Sequence, residues 1–274
     1  MNRPLKGKTI FLSGGSRGIG RSIALKAAAD GANIVIAAKT AEAHPELPGT
    51  IYTVAKEVES LGGIALPLLV DVRDEQSIEL AVKAAADHFG GLDILINNAS
   101  AISLTKTEIT PSKRFDLMFG INVRGSYLCA KACIPHLRKS TNPHILSLSP
   151  PLDMQAKWFS EHAPYTTSKF AMSMLIMGLA EELRADGIAA NALWPRTIIA
   201  TSALKIAKPG LDGLARVPEI MADAAYQIIT SPSKECTGHF YLDEEILRER
   251  GVSDFGAYLV TPGVEPMIDF FVEP

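Results

Sequence analysis

The sequence predicts a single α/β domain built on a doubly wound parallel sheet. Short runs of aliphatic and β-branched residues alternate with longer segments of helical periodicity from about residue 9 onward. A strand, a helix and a second strand in this order pair in parallel through a right-handed crossover. The strand segments are continuously apolar, as expected where helices cover both faces of a sheet. No internal repeat or linker divides the 274 residues, so one domain is the better prediction.

Each element is justified by its composition and by the residues that end it. The strands are rich in Ile, Val, Leu and Ala, and the first two predicted helices stop at Gly31 and at the pair Gly62 and Gly63, a residue type that commonly ends helices. In order, the predicted elements are strand 9–14, helix 19–30, strand 33–39, helix 50–61, strand 64–72, helix 75–90, strand 93–100, helix 112–138, strand 144–149, helix 164–184 and strand 188–195.

Two segments depart from this alternation. Residues 40–50 form a long, proline-containing loop after the second predicted strand. Residues 243–274 extend past the last expected strand and end irregularly, so we expect a domain over residues 1–242 followed by a C-terminal extension. The extension is expected either to pack on the same domain, where it would cap a pocket, or to cross a subunit interface.

Composition excludes several classes of partner. The net charge is -3 with acidic and basic residues interleaved, which gives no reason to expect nucleic acid or an anionic membrane surface. No apolar run approaches the roughly 18 residues of a membrane-spanning helix, and a cytoplasmic location is expected. Neither the three cysteines nor the six histidines have metal-ligand spacing, so no metal site is predicted.

A glycine-rich turn joins the first predicted strand to the first helix. In SGGSRGIG (13–20), Gly14, Gly18 and Gly20 are spaced G-x-x-x-G-x-G rather than G-x-G-x-x-G. A tight turn that approaches a pyrophosphate at a helix N-terminus still needs glycine at such positions. The turn therefore predicts dinucleotide binding on a Rossmann fold, with these cofactor-binding residues: Gly14, Gly15, Ser16, Arg17, Gly18, Ile19 and Gly20.

Further motifs accompany this turn in a fixed order. They are NNAS (97–100), Asn122 in INVRG, and YTTSK (165–169). From about residue 5 to 242 the chain resembles the short-chain dehydrogenase/reductase family, in which these segments match Asn-Asn-Ala-Gly, a helix asparagine and Tyr-x-x-x-Lys. The segments AHPELPGT, SPP and NALWP are similar to the hydroxysteroid-dehydrogenase-like branch. Members of that branch often carry a sterol-carrier domain, which is not expected within these 274 residues.

The end of the second predicted strand indicates which nicotinamide cofactor is bound. A carboxylate there usually bonds the adenosine ribose and repels a 2′-phosphate. This chain has Lys39 instead, and Arg17 would point to the same region, so NADP(H) is favoured over NAD(H). The alternative is that Lys39 is simply solvated. The resemblance further implies that Asp71 contacts the adenine amino group and that Asn98 lies beside the cofactor.

Tyr165 and Lys169 are the predicted centre of the chemistry. Positions i and i+4 share one helix face, and a nearby ammonium would lower the pKa of a phenol towards neutral pH. The resemblance implies that Tyr165 is the general acid/base and that Lys169 also holds the nicotinamide ribose. It gives Asn122 the role of kinking its helix and holding a water that relays protons to Lys169.

The serine expected as the fourth catalytic residue is displaced. Relatives have a serine just after the fifth strand, but an ungapped comparison of HILSLSPPLDM puts Pro150 there, and proline has no hydroxyl or N–H. We expect the prolines to turn the chain so that Ser149, one residue earlier, supplies the functional hydroxyl. If it is not, Tyr165 alone polarises the substrate.

The loop after the sixth strand is expected to form the substrate wall. Residues 194–213 mix small aliphatic side chains with Lys205 and Lys208, which suits an apolar carbonyl or alcohol substrate, including one with an acidic end. The resemblance implies that the amide of Ile198 meets the nicotinamide carboxamide. Trp158 and Phe159 are expected in the core rather than on the substrate.

Two functions remain open at this stage. The first is an NADP(H)-dependent alcohol dehydrogenase or carbonyl reductase, and the second is a dinucleotide-binding sensor or assembly subunit with little turnover. The resemblance also implies a homodimer or homotetramer.

Overall fold

The computed structural model of the chain describes residues 3–45 and 47–273. Within these residues, parallel strands form one seven-stranded sheet in the order β3-β2-β1-β4-β5-β6-β7. The strands are β1 Thr9–Ser13, β2 Asn33–Ala38, β3 Ile64–Leu69, β4 Ile94–Asn97, β5 His144–Ser147, β6 Ala189–Trp194 and β7 Phe240–Leu242. The α-helices are α1 Gly18–Ala29, α2 Ile51–Ser60, α3 Glu75–Phe89, α4 Ser112–Met118, α5 Ser126–Leu137, α6 Ala163–Glu182, α7 Ser202–Ala207, α8 Glu219–Ile229 and α9 Asp243–Glu249. The predicted doubly wound sheet is confirmed.

Helices cover both faces of the sheet and bury two separate cores. One core packs α1, α2 and α8 against the sheet, and the other packs α3, α5 and α6 against the opposite face. The strand order reverses between β1 and β4, where both strands end at the same edge. A crevice at such a point is where ligands bind in open α/β sheets.

The third strand is shorter and more exposed than its apolar sequence predicts. It ends at Leu69 rather than at residue 72, and Ile64 and Leu69 are 55% and 64% exposed. The reason is its place in the order, since β3 pairs with β2 on one side only and therefore lies at an edge of the sheet.

The long helix predicted over 112–138 has three parts. A π-helical segment, Phe119–Gly125, separates α4 from α5. Asn122 lies in this segment, and its side chain bonds both backbone groups of Ala101, which anchors the segment to the chain that follows β4. Such wide turns are frequent at functional sites.

The chain after α9 returns to the carboxyl end of the sheet. The amide of Ile198 donates to the carbonyl of Met267 at 2.9 Å, and the amide of Asp269 donates to the carbonyl of Arg196 at 3.0 Å. The final residues therefore pair antiparallel with the segment that follows β6. None of the helices in the described ranges has the length and apolarity needed to cross a membrane.

Candidate active site

Glycines 14 and 20 let the turn after β1 pack against the end of β4. Gly14 has φ +72°, and a Cβ there would come within 2.8 Å of Ala99 Cα. A Cβ on Gly20 would lie 2.5 Å from Asn98 Nδ2 and 2.6 Å from the carbonyl oxygen of Gly14. From the sequence, both glycines are expected where the backbone approaches a phosphate. In the structure the first constraint on both is the close contact with the residues after β4.

Asn98 and Ser13 hold this packing in place. Asn98 Nδ2 donates to the carbonyl oxygens of Ser13 and Gly14 at 3.1 and 2.9 Å. Ser13 Oγ accepts from the amides of Asn98 and Ala99 at 3.1 and 3.2 Å. The serine hydroxyl thus makes the two ends of β1 and β4 one rigid unit.

The N-terminus of α1 points its amides into the crevice without a capping side chain. Arg17 is the N-cap residue, and its side chain makes no cap hydrogen bond. The first amides of a helix have no intrahelical partners and carry the positive end of the helix dipole. They therefore fit a pyrophosphate, which is the group that the glycine turn predicts.

A cavity of about 540 Å³ extends from this turn past the ends of β2 and β3. The cations along its wall are Arg17, Lys39 and Arg114. The carboxylate in the wall, Asp71, is paired with Arg73, whose Nε lies 2.9 Å from Oδ1, and this pairing keeps the pKa of Asp71 below its usual value. The adenosine end of the crevice is therefore net positive.

The predicted cofactor residues divide into two groups. Two of them, Gly15 and Gly20, lie beneath the turn and do not line the crevice. The others line one or both of its cavities: Gly14, Ser16, Arg17, Gly18, Ile19, Lys39, Asp71, Asn98, Lys169 and Ile198.

A second cavity, of about 380 Å³, continues the first at the reacting end. Six residues line both cavities: Ile19, Asn98, Ser100, Ile102, Thr201 and Ala203. Tyr165 and Lys169 lie in the wall of the second cavity, one turn apart on α6, and are 5% and 2% exposed. Most other lining side chains are apolar. The two cavities are therefore one continuous crevice.

Lys169 is fixed by the residue that follows β5. Its Nζ donates to the carbonyl oxygen of Leu148 at 2.6 Å and lies 5.0 Å from the centre of the Trp194 ring. Burial lowers the pKa of Lys169 to about 7, and the nearby charge of Asp269 opposes this shift.

The pKa of Tyr165 differs from the sequence expectation. We expected the ammonium to lower it, but in the structure burial raises it, and the negative charge of Asp269 raises it further. The physical reason is that the closed site desolvates the phenolate, while Lys169 is itself held towards its neutral form. The phenol keeps its proton at neutral pH, as a proton donor must.

Asn122 is buried, and both the nitrogen and the oxygen of its side-chain amide are hydrogen-bonded. Nδ2 donates to the carbonyl of Ala101 and to Ser168 Oγ, each at 3.0 Å, and Oδ1 accepts from the amide of Ala101 at 2.8 Å. Ser168 immediately precedes Lys169, so Asn122 ties the π-helical segment to the reactive part of α6. A role in a water relay stays a prediction.

Ser149 is not brought into the cavity. It is 1% exposed, its Oγ is buried without a hydrogen-bond partner among the described residues, and it is not part of the cavity wall. The neighbouring Ser147 accepts from Asn97 Nδ2 at 3.4 Å and is also buried. The prolines after Ser149 turn the chain without presenting its hydroxyl to Tyr165.

The amide assigned to the nicotinamide carboxamide is already bonded. Ile198 lies on the cavity wall, but its N–H donates to Met267 in the C-terminal segment. Ile199 also lines the cavity, and no described residue accepts a hydrogen bond from its N–H. The N–H of Ile198 is therefore engaged within the protein, and its contact with the carboxamide stays a prediction.

Sequence reasoning missed two residues of the C-terminal segment that reach the reacting end. Asp269 lines the cavity together with Tyr165 and Lys169. Phe271 is 2% exposed and has φ 68°, an outlier for a bulky residue. Its ring packs among Tyr165, Trp194 and other aromatic side chains. The signal for Asp269 was a single acid within the apolar run MIDFF.

Trp158 and Phe159 belong to the same aromatic cluster. Trp158 packs edge-on against Phe271 and Phe159 against Phe170, and neither lines the cavity. This agrees with the expectation that they belong to the core. Lys208 lies at the cavity wall, whereas Lys205 is exposed and away from it.

Comparison with known proteins identifies the family of the chain. The chain is 57% identical over 270 residues to hydroxysteroid dehydrogenase-like protein 2 of Xenopus tropicalis and 56% identical to that of Homo sapiens, each time over 98% of this chain. The chain spans 64% of the length of those relatives. The crystal structure of a short chain dehydrogenase from Mycobacterium thermoresistibile is 50% identical, with a TM-score of 0.93 over 98% of this chain and 96% of that one. A model of the short chain dehydrogenase family matches residues 8–209, and the chain belongs to that family.

Proposed function

We propose that this protein is an NADP(H)-dependent oxidoreductase that interconverts a carbonyl and an alcohol on a hydrophobic substrate, with Tyr165 as general acid/base. The observation that carries the proposal is the buried pair Tyr165 and Lys169 in a mostly apolar cavity that opens into the glycine-turn crevice. Apolar walls with a few convergent polar groups are typical of small-molecule sites.

The chain's own residues supply binding, orientation and a proton. A bound nicotinamide supplies or accepts the hydride. Tyr165 holds its proton at neutral pH because of burial, so its Oη can pass that proton to a carbonyl oxygen. Lys169 is held by Leu148 at a fixed position, from which its Nζ would bind the nicotinamide ribose. The amide of Ile199 would bind the carboxamide.

The charges at the adenosine end support NADP(H) over NAD(H). Lys39 stands where a carboxylate would repel the 2′-phosphate, and Arg17 and Arg114 line the same cavity. Arg17 Nε is buried without a partner among the described residues, while its Nη2 donates to the carbonyl of Gly49 at 3.1 Å. A phosphate oxygen would satisfy such a donor, since phosphate binding by arginine is charge-assisted.

The cavity wall supports an aliphatic substrate. Its lining includes Leu104, Leu204, Leu211 and Met221, and Lys208 offers a cation near the apolar wall. A 3-oxoacyl thioester or a long aliphatic ketone fits this mixture. The homodimer or homotetramer and the cytoplasmic location are proposals from the sequence, and apolar side chains exposed on α5 and α6, such as Tyr127 and Met174, would suit an interface.

One observation favours the alternative of a low-turnover, dinucleotide-binding sensor or assembly subunit. Ser149, the expected second donor to the substrate oxygen, is buried outside the cavity. Loss of one such donor typically costs about 2.7–4 kcal/mol of transition-state stabilisation. With Tyr165 as the sole donor, turnover would be slow.

Consumption of NADPH separates the two functions. Purified protein is mixed with NADPH and a panel of aliphatic aldehydes, ketones and 3-oxoacyl thioesters, and nicotinamide absorbance is followed. We expect turnover by the parent, its loss in Tyr165→Phe with unchanged NADPH affinity, and its retention in Tyr52→Phe, which alters an exposed tyrosine. Tight NADPH binding without turnover of any compound would favour the sensor.

A further inference from the structure

Asp269 is held at the reacting end by contacts on both of its sides. On its N-terminal side, Ile268 pairs with Thr197. The amide of Asp269 itself donates to the carbonyl oxygen of Arg196. After it, the carbonyl of Phe270 accepts from Trp194 Nε1 at 2.9 Å, and the ring of Phe271 is inserted in the aromatic cluster around Tyr165. These contacts fix the backbone of Asp269 on both sides of the residue.

Its side chain faces the same cavity as the proton donor. Asp269 is the one carboxylate among the described residues that line this cavity. Oδ1 accepts from the amide of Phe270 at 2.8 Å, and no described residue hydrogen-bonds to Oδ2. One oxygen is therefore anchored to the backbone, and the other is available to a substrate.

The cavity also needs a second hydrogen-bond donor for a substrate oxygen. Ser149 is buried outside it, and Pro150 has neither a hydroxyl nor an N–H. A carbonyl oxygen that becomes an alkoxide is stabilised by two donors much better than by one. A carboxylic acid kept neutral by its surroundings can serve as such a donor.

The groups around Asp269 favour its neutral form. Burial raises the pKa of Asp269 to about 7, the amide of Phe270 and the ammonium of Lys169 oppose this, and the charge of Asp243 on α9 adds to it. Asp243 is itself buried, with its Oδ1 accepting from the amides of Arg196 and Glu244. At and below neutral pH a large fraction of Asp269 therefore carries a proton.

We propose that Asp269 is a catalytic residue of the C-terminal segment, whose carboxylic acid donates a hydrogen bond to the substrate oxygen in place of the missing serine. This rests on the proposed function. In carbonyl reduction a bound nicotinamide would supply the hydride for the new C–H bond, the C=O π electrons would move to oxygen, and the Tyr165 O–H bond would break as its proton forms the new O–H bond. The phenolate left on Tyr165 would then take up a proton from solvent. Asp269 keeps its own proton throughout.

The test compares how pH affects carbonyl reduction by three variants. Asp269→Asn keeps a donor that does not titrate, Asp269→Ala removes the donor, and Glu265→Gln neutralises an exposed carboxylate of the same segment as a control. We expect Asp269→Ala to lower kcat/KM for reduction about 100-fold at pH 6 with little change in NADPH affinity. We expect the activity of the parent to fall above neutral pH and that of Asp269→Asn to lose this fall. Glu265→Gln should match the parent.

Two kinetic results would overturn the proposal. One is an Asp269→Ala variant that reduces the substrate as fast as the parent. The other is an Asp269→Asn variant with the same fall above neutral pH as the parent, since that fall would then belong to Lys169. If the parent turns over but either result is found, this inference fails while the proposed function stands.

A second measurement does not depend on turnover. The protein labelled with carbon-13 at the aspartate carboxyls is titrated by NMR, and the signal absent from Asp269→Asn is assigned to Asp269. A midpoint near pH 7 supports the proposal, and a midpoint near 4, the ordinary value of an aspartate, overturns it even if no substrate is found.

Discussion

Trp194 donates its indole N–H to the carbonyl oxygen of Phe270 at 2.9 Å. Trp194 is the last residue of β6, and Lys169 Nζ lies 5.0 Å from the centre of its ring. One side chain therefore contacts both α6 and the C-terminal segment that lines the cavity. The position of Asp269 depends on this contact because Phe270 follows it directly.

Trp194→Phe should loosen the C-terminal segment while keeping an aromatic ring. The carbonyl of Phe270 would lose its donor, and we expect a loss of about 1 kcal/mol in the free energy of unfolding. Hydrogen exchange at residues 267–271 should accelerate. Trp158→Phe is the matched control for loss of an indole N–H, since that N–H donates to Asp153 and the phenyl ring that replaces the indole can still pack against Phe271. Equal protection of 267–271 in Trp194→Phe and the parent would contradict the role given to Trp194.

Lys39→Asp should shift cofactor preference towards NADH. The new carboxylate would repel a 2′-phosphate and bond the ribose hydroxyls that replace it. Because a hydrogen bond to a charged group is worth about 1.5–3 kcal/mol, the ratio of kcat/KM with NADPH to that with NADH should fall roughly tenfold or more. Lys56→Asp, an exposed change on α2, is the control. An unchanged ratio in Lys39→Asp would leave Lys39 as a solvated side chain.

Local sequence predicted the sheet because each interior strand is a continuous apolar run that ends in a turn signal. The glycine turn and the pair Tyr165 and Lys169 were predictable for the same reason, since each depends on spacing within one short segment. The apolar run of β3 is more exposed than expected, because its edge position depends on the strand order.

Features that depend on distant pairing were not predictable. The bond from Ile198 to Met267 joins residues far apart in sequence and takes the amide that was assigned to the cofactor. Asp269 lines the same cavity as Tyr165 for the same reason. The raised pKa of Tyr165 follows from burial by that segment, which a helical spacing of four residues does not reveal.

Gly20→Ala should damage the fold and the crevice together. The added Cβ would lie 2.5 Å from Asn98 Nδ2 and 2.6 Å from the carbonyl of Gly14, closer than real contacts allow. Overpacking of this kind costs about 1–3 kcal/mol, and we expect a lower melting temperature and weaker NADPH binding. Gly178→Ala is the control, because this exposed glycine of α6 has open space around its Cβ position. That change should stabilise the helix by about 0.5–1 kcal/mol. Equal melting temperatures in the two variants would refute the packing role of Gly20.

Asp269→Asn should be more stable than the parent above neutral pH. The pKa of Asp269 rises from 3.8 to about 7 on folding, so between these values the native state holds a proton that the unfolded chain has lost. The parent's stability therefore falls as pH increases through this window. The variant lacks this loss, so its advantage in melting temperature should grow from about pH 4 to about pH 7.

Lys169 does not imitate this trend. Its pKa falls from 10.5 to about 7 on folding, which makes stability rise with pH above neutrality. Melting curves across pH 4–8 measure the difference, and an advantage that stays constant across this range would show that Asp269 is ionised in the native state throughout.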